Sequence, residues 1–162
     1  MSQNRGKEFE EVIRKACLAV PNTSVVRLPD PVQGYLGYRN ISDFIIYHKP
    51  FQYFIECKSV HGNTLPFSNI TDNQWQGMLE QSKIKGVVAG VICWWTERDT
   101  TRFIPIQILE AMKNAGYKSL RYDVESYDGE FIYEIEGKKK RVFFDYDMQN
   151  FFNIIDFERV EE

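Results

Sequence analysis

Histidine is almost missing from this 162-residue chain and cysteine is scarce: His48 and His61 are its two imidazoles, and Cys17, Cys57 and Cys93 its three thiols. Histidine-rich zinc sites are thereby excluded, and a Ser-His-Asp triad has little to draw on. An odd number of thiols without metal-ligand spacing reads as reduced, partly buried cysteines, which makes the cytoplasm the expected compartment. No apolar run reaches membrane length. The longest, residues 86–95, is about half of the ~20 residues a span needs, so a buried strand and no membrane partner are expected. Residues 1–11 are polar where a signal peptide needs an apolar core. An excess of positive charge is also lacking: 20 Lys and Arg stand against 23 Asp and Glu, for a formal net charge of −3. A phosphate-binding surface would have to be a local patch.

What is present is a folding composition. Hydrophobic residues make up 43% and aromatics 15% of the chain, which excludes a disordered chain. The length suits one domain able to bury about 68–70% of its unfolded surface without disulfide staples. No repeat, low-complexity linker or composition break divides the chain. It reads as a single domain over residues 1–162, with a core of about 1–116 and a β-rich extension of about 117–162.

Phe9, Val12, Ile13, Ala16, Cys17 and Val20 recur at helical spacing, with Asn4 as a plausible cap and Pro21 as a stop. Residues 24–28 suit a short strand, and 29–38, with two prolines and two glycines, a loop. Residues 41–48 and 51–60 are apolar and aromatic on either side of Lys49-Pro50, which predicts a hairpin. Residues 61–70 read as a second loop. Thr71-x-x-Gln74 has the form of a capping box opening a helix with Trp75, Met78 and Leu79 on its inner face. Residues 87–95 return as a buried strand, residues 102–104 pair back on it, and Pro105 opens a helix closed by Gly116. Residues 131–135 and 141–146 alternate around a turn at 136–140. The order is α-β-β-β-α-β-β-α-β-β, an α/β class with a mixed central sheet flanked by helices.

The hairpin carries the chemistry. With its turn centred between Lys49 and Pro50, Asp43 faces Glu56, and Lys58 projects from the same face as Glu56. Two carboxylates about 5 Å apart repel by roughly 3 kcal/mol at an effective dielectric of about 20, and one lysine neutralises only one of them. A hard divalent cation, Mg²⁺ or Mn²⁺, would relieve the pair and could polarise a phosphate, which reads as metal-assisted phosphodiester hydrolysis. A cross-strand ion-pair network of Asp43, Glu56 and Lys58 with no catalytic role is equally consistent with the spacing. His61, soon after Lys58, reads as a loop residue. Trp94 and Trp95 invite a base-stacking role, but their place in an apolar strand reads as core.

Asn4-Arg5-Gly6-x-x-Phe9-Glu10, Ser42-Asp43 and Ile55-Glu56-Cys57-Lys58-Ser59 together resemble the PD-(D/E)xK nuclease superfamily, and within it the RecU-type Holliday junction resolvases. Thr64-Leu65-Pro66-Phe67-x-Asn69-Ile70 with Gln74, Arg102-Phe103-Ile104-Pro105 and Phe144-Asp145-Tyr146 extend the resemblance over nearly the whole chain. The resemblance implies a restriction-endonuclease-like fold and a Mg²⁺-dependent, homodimeric endonuclease that cuts branched DNA at four-way junctions. It also implies Asp43 and Glu56 as metal ligands, Lys58 as the water-orienting or charge-stabilising group, Glu10 as a further carboxylate on the metal or its water, and Gln74 as an auxiliary polar residue. Periodicity alone does not choose Glu10 over Glu8 or Glu11, and Gln74 also fits a purely structural cap. Pro29-Asp30 offers a rival first acid, but a simple hairpin does not bring it to Glu56. The sequence departs from the family in one respect: the segment before Asp43, where the RecU-type proteins carry a stalk, is short here, with residues 32–39 left to form one. Arg5, Arg27, Arg39, Lys83 and Lys85 are candidates for a basic DNA-binding rim, and 138–141 reads as a solvated basic turn.

Overall fold

A computed structural model describes residues 2–29 and 40–159. Asp30, Arg39 and the short stalk expected over 32–39 lie outside the described residues. Helix α1 (Ser2–Leu18) buries Phe9, Ile13 and Cys17, as the stripe predicts. It begins at Ser2, so Asn4 is not its cap: nothing in the first turn breaks the helix, which runs on past that residue. Strands β1 (Thr23–Arg27), β2 (Phe44–His48) and β3 (Phe51–Val60) form an antiparallel meander. Its second pairing runs from Phe44 opposite Ile55 to His48 opposite Phe51, the register the hairpin predicts.

β2 starts three residues later than residues 41–48 suggest, and the backbone of Asp43 explains why. Its amide donates to the carbonyl of Ile55 at 3.0 Å, while its carbonyl accepts from the amide of Leu28 at 2.8 Å. A regular strand residue directs both groups to one neighbour. Asp43 divides them between β3 and β1, so the ladder turns aside at this residue and is pinned there from both sides.

Beyond β3, a short strand β4 (Thr64–Pro66) and a 3-10 turn (Phe67–Asn69) occupy the stretch read as loop. Helix α2 (Asp72–Ser82) then crosses to β5 (Val87–Trp95), which lies parallel to β3, followed by β6 (Thr100–Pro105) and helix α3 (Ile106–Asn114). The tail holds β7 (Ser119–Arg121), β8 (Ser126–Tyr127), β9 (Glu130–Phe131), β10 (Tyr133–Glu134), β11 (Gly137–Lys139) and β12 (Phe144–Tyr146). The main sheet runs β1-β2-β3-β5-β6-β10, mixed because β3 and β5 alone are parallel.

Two expectations for the tail are corrected. Residues 137–139, read as part of a turn, form β11 paired with β12. The extension expected to be β-rich ends in helix α4 (Met148–Arg159), whose Met148, Phe151, Phe152 and Ile155 are buried. The spacing of those four residues, with the Asp147 side chain accepting from the amide of Asn150, is a helix signal that the preceding strand-like alternation obscured.

Each face of the sheet carries its own core. Phe44, Ile46, Tyr53, Ile55, Cys57 and Trp94 pack with α1 and α4, while Phe54, Val60, Val91, Trp95 and Ile104 pack with α2 and α3. Trp94 and Trp95 are 2% and 0% exposed, so neither ring offers a stacking platform. All three cysteines are unpaired and buried. No helix among the described residues is long and apolar enough to cross a membrane.

Candidate active site

Alternation along β3 sends Phe54, Glu56, Lys58 and Val60 towards α2, and Ile55 and Cys57 towards α1. Because β2 begins only at Phe44, opposite Ile55, β3 has no strand neighbour among the described residues on that side from Glu56 onward. The amide of Cys57 points into this opening and donates to Asp43 Oδ2 at 2.8 Å. The carboxylate of Asp43 thus stands where the next rung of the ladder would be. A strand residue directs its carbonyl to the same side as its amide, so the Cys57 carbonyl also faces the opening. Sequence reasoning missed this backbone contribution; the early end of β2, which exposes it, has no signature in side-chain periodicity.

Glu56 is 3% exposed, and its Oε2 accepts from Lys58 Nζ at 3.0 Å. Its Oε1 is buried without a hydrogen-bond partner. Burial raises the pKa of Glu56; Lys58 and the Gln74 amide oppose this, and the charge of Glu10 adds to it. Asp43 is pushed up to about 7, chiefly by burial and then by Glu56, against the lowering effects of the Cys57 amide, Lys58 and Arg27. Glu10 reaches the same neighbourhood from α1, its Oε1 3.3 Å from a guanidinium nitrogen of Arg27. Glu11 is instead taken by Arg14 at 2.6 Å, a distinction that helical periodicity cannot make.

Gln74 is the capping-box residue that Thr71-x-x-Gln74 predicts, and it also faces Glu56. Its amide nitrogen and side-chain oxygen complete the capping box with Thr71, and its side chain also lowers the pKa of Glu56. Helix α2 braces the site in two further ways. Asn73 donates to the carbonyl of Asn40 at 3.2 Å, and Gly77 packs so closely on Ile41 that a Cβ there would overlap the Ile41 side chain.

A divalent cation suits this donor set. Two carboxylates, one with an unpaired buried oxygen, and an open backbone carbonyl are hard oxygen ligands, and their mutual repulsion is what a cation relieves. Among the described residues no three carboxylate, imidazole or thiol side chains converge tightly enough to hold an ion by themselves. The fit is therefore to an ion held by Asp43, Glu56 and backbone oxygen, with solvent or substrate completing the shell and Glu10 further out.

The candidate basic rim separates. Arg27 stands over the site through Glu10, and Arg5 lies on the first turns of α1. Lys83 and Lys85 lie at the opposite end of the sheet, where Gln52 donates to Gly86 at 2.8 Å. Gln52 is four and six residues from Glu56 and Lys58, roughly 13–20 Å along the strand. There Lys83, Lys85 and Arg159 line a cavity of about 460 Å³ with Pro50 and Phe51. His61 is an exposed loop residue, 3.5 Å from Glu97.

No protein-family model matches the sequence, and no curated protein matches it. Among solved structures the chain is similar to Hjc, a Holliday junction resolvase from the archaeal hyperthermophile Archaeoglobus fulgidus. The identity is 16% and the TM-score 0.46, over 80% of this chain and 88% of that one.

Proposed function

We propose that this chain is a divalent-metal-dependent endonuclease that hydrolyses phosphodiester bonds in branched DNA, with four-way junctions as its preferred substrate and a homodimer as its working form. The observation that carries the reading is the unpaired, buried Oε1 of Glu56 beside the anchored carboxylate of Asp43, with Lys58 in contact. Asp43, Glu56 and the Cys57 carbonyl would hold Mg²⁺ or Mn²⁺, which when bound polarises a phosphate oxygen and makes a neighbouring water more acidic.

The remaining steps belong to the chain. The Cys57 amide fixes Asp43 in one orientation, so no reorganisation is needed when substrate arrives. Lys58 donates one hydrogen bond to Glu56 Oε2 and keeps other N–H groups for the attacking water or the charge growing on the phosphate. Glu10, held by Arg27, would accept a hydrogen bond from that water, and Gln74 would steady Glu56 from α2. The choice of four-way junctions rests on the ordered motifs that resemble RecU-type resolvases, and the homodimer on the need to present two sites to two strands.

Cleavage rates on a four-way junction, a flap, a linear duplex and a single strand in Mg²⁺ test this. Cutting that is at least tenfold faster on the junction, and that disappears in chelator, is expected. Equal rates on all four would remove the junction preference and leave a nicking, flap or restriction-like nuclease. No cutting of any of them would overturn the nuclease reading in favour of a non-catalytic DNA-binding or interaction domain.

A further inference from the structure

Lys138, Lys139, Lys140 and Arg141 follow one another around the tip of the β11–β12 hairpin, and residues 137–142 are all exposed. Lys139 is held by both carboxylate oxygens of Asp99, at 3.0 and 2.9 Å, and Lys138 stands opposite Asp145 across the strand pair. Lys140 and Arg141, at the turn itself, carry no carboxylate partner among the described residues. A basic turn by itself is ordinary surface. Its attachment and its place on the fold set this one apart.

Two strands of three residues each do not hold themselves together in water. This hairpin is fastened to the core at two points instead, through Phe143 in its turn and Tyr146 at its base. Phe143 packs on Trp94 with ring centroids 5.3 Å apart, Tyr146 packs on Phe9 at 6.2 Å, and the Tyr146 hydroxyl meets that of Thr101 at 2.6 Å. Phe9 precedes Glu10, and Tyr146 and Cys57 belong to the same buried cluster as Phe9. Cys57 is the residue whose amide holds Asp43. The base of the basic hairpin is thus one packing layer behind the acidic cluster.

The tip points the same way. Asp99 lies in the turn after Trp95, which pairs with Val60, two residues or about 7 Å beyond Lys58 along β3. Lys139, bonded to Asp99, thus ties the hairpin tip to the same end of the sheet as Lys58, whereas Lys83 and Lys85 mark the other end. A duplex carries one negative charge per about 1.7 Å of its axis, so a duplex bound at the opening beside β3 and running across this end of the sheet would bring further phosphates towards the tip.

We propose that the β11–β12 hairpin is the arm that grips the DNA phosphate backbone beside the candidate active site, with Lys140 and Arg141 as its principal contacts. The inference rests on the nuclease reading above and names the surface that serves it. The test measures DNA affinity at several salt concentrations, with Ca²⁺ in place of Mg²⁺, for the wild-type chain, Lys140→Ala/Arg141→Ala and Lys140→Glu/Arg141→Glu. Lys15→Ala/Lys49→Ala, which removes the same charge elsewhere on the exposed surface, serves as the comparison. The alanine pair is expected to weaken binding about tenfold and to reduce the slope of log affinity against log salt by about 1.8, the value for two lost phosphate contacts. The glutamate pair is expected to weaken it further, and the comparison pair to stay within twofold of wild type. Wild-type affinity and slope in both hairpin variants, or an equal loss in the comparison pair, would overturn the inference while leaving the nuclease reading intact. A wild-type chain that neither binds nor cuts DNA would overturn both.

Discussion

Glu56 has one carboxylate oxygen bonded to Lys58 and one buried without a partner, and this inequality decides what substitution should do. Removing the lysine leaves a buried carboxylate with no cation. Lys58→Met is therefore expected to cost about 1–3 kcal/mol, and Glu56→Gln/Lys58→Met less than the single change, in denaturant titrations of the metal-free protein. Asp43 behaves in the opposite sense. Its pKa of about 7 in the folded protein lies above the ordinary value of 3.8. The stability it contributes is fully present below about pH 4 and is lost as pH rises through 7, since the folded state then gives up a proton it holds more tightly than the unfolded chain. Asp43→Asn is accordingly expected to raise the melting temperature at pH 8 by several degrees, to flatten the decline between pH 4 and 7, and to lower cleavage at least 100-fold. A melting curve of the variant that kept the wild-type pH dependence would show that Asp43 is not the titrating group.

At the scale of elements, α2 positions Asp43 and Glu56 as much as the strands do. Gly77 lets the helix press on Ile41, two residues before Asp43, so Gly77→Ala must displace one or the other. The expected outcome is a loss of about 1–3 kcal/mol and a drop in cleavage larger than the loss of folded protein explains. Ile41→Ala in the same chain should restore part of the activity, because it removes the overlapping methyl groups. Thr71→Ala removes the Oγ1 that accepts from the Gln74 amide and should cost about 1 kcal/mol by thermal melting, while the bond from the backbone amide of residue 71 to Gln74 Oε1 can persist. Helix α4 is an integral part of the core. Phe151 is 1% exposed and packs on Tyr53 and Phe103, so Phe151→Ala is expected to cost about 3–5 kcal/mol, as core aromatics do.

For the whole molecule, the acidic cluster and the net charge of −3 make stability and ligand binding one linked problem. A cation that binds the folded state alone stabilises it by mass action, and it competes with the protons that Asp43 and Glu56 hold. Mg²⁺ is therefore expected to raise the melting temperature at pH 8, to do so much less at pH 5.5, and to have little effect in Asp43→Asn/Glu56→Gln. An equal shift at both pH values and in that variant would place the bound cation elsewhere. The same polarity organises the surface: one end of the sheet has carboxylates at the opening beside β3 and cations on the β11–β12 tip, and the other has Lys83, Lys85 and Arg159 around a cavity.

The sequence by itself determined what depends on neighbours along the chain. The stripe of α1, the register of β2 on β3, the buried run of β5 and the capping box at Thr71 are local patterns with periods of 3.6 or 2. A turn centred at Lys49-Pro50 leaves only one facing partner for each strand residue. That register predicts Asp43 opposite Glu56 and Lys58 on the face of Glu56, but the ladder stops at Phe44 opposite Ile55, and Asp43 is held at the site by the Cys57 amide instead. Only the tertiary structure decided that β2 ends early enough for the Cys57 amide to hold Asp43, that Glu10 and not Glu11 turns to Arg27, and that α4 closes the core. It alone also decided at which end of the sheet each group of cations lies. Those choices are made between segments far apart in sequence, by packing and by the need to satisfy backbone groups where a ladder stops, and no periodicity in a single stretch of chain records them.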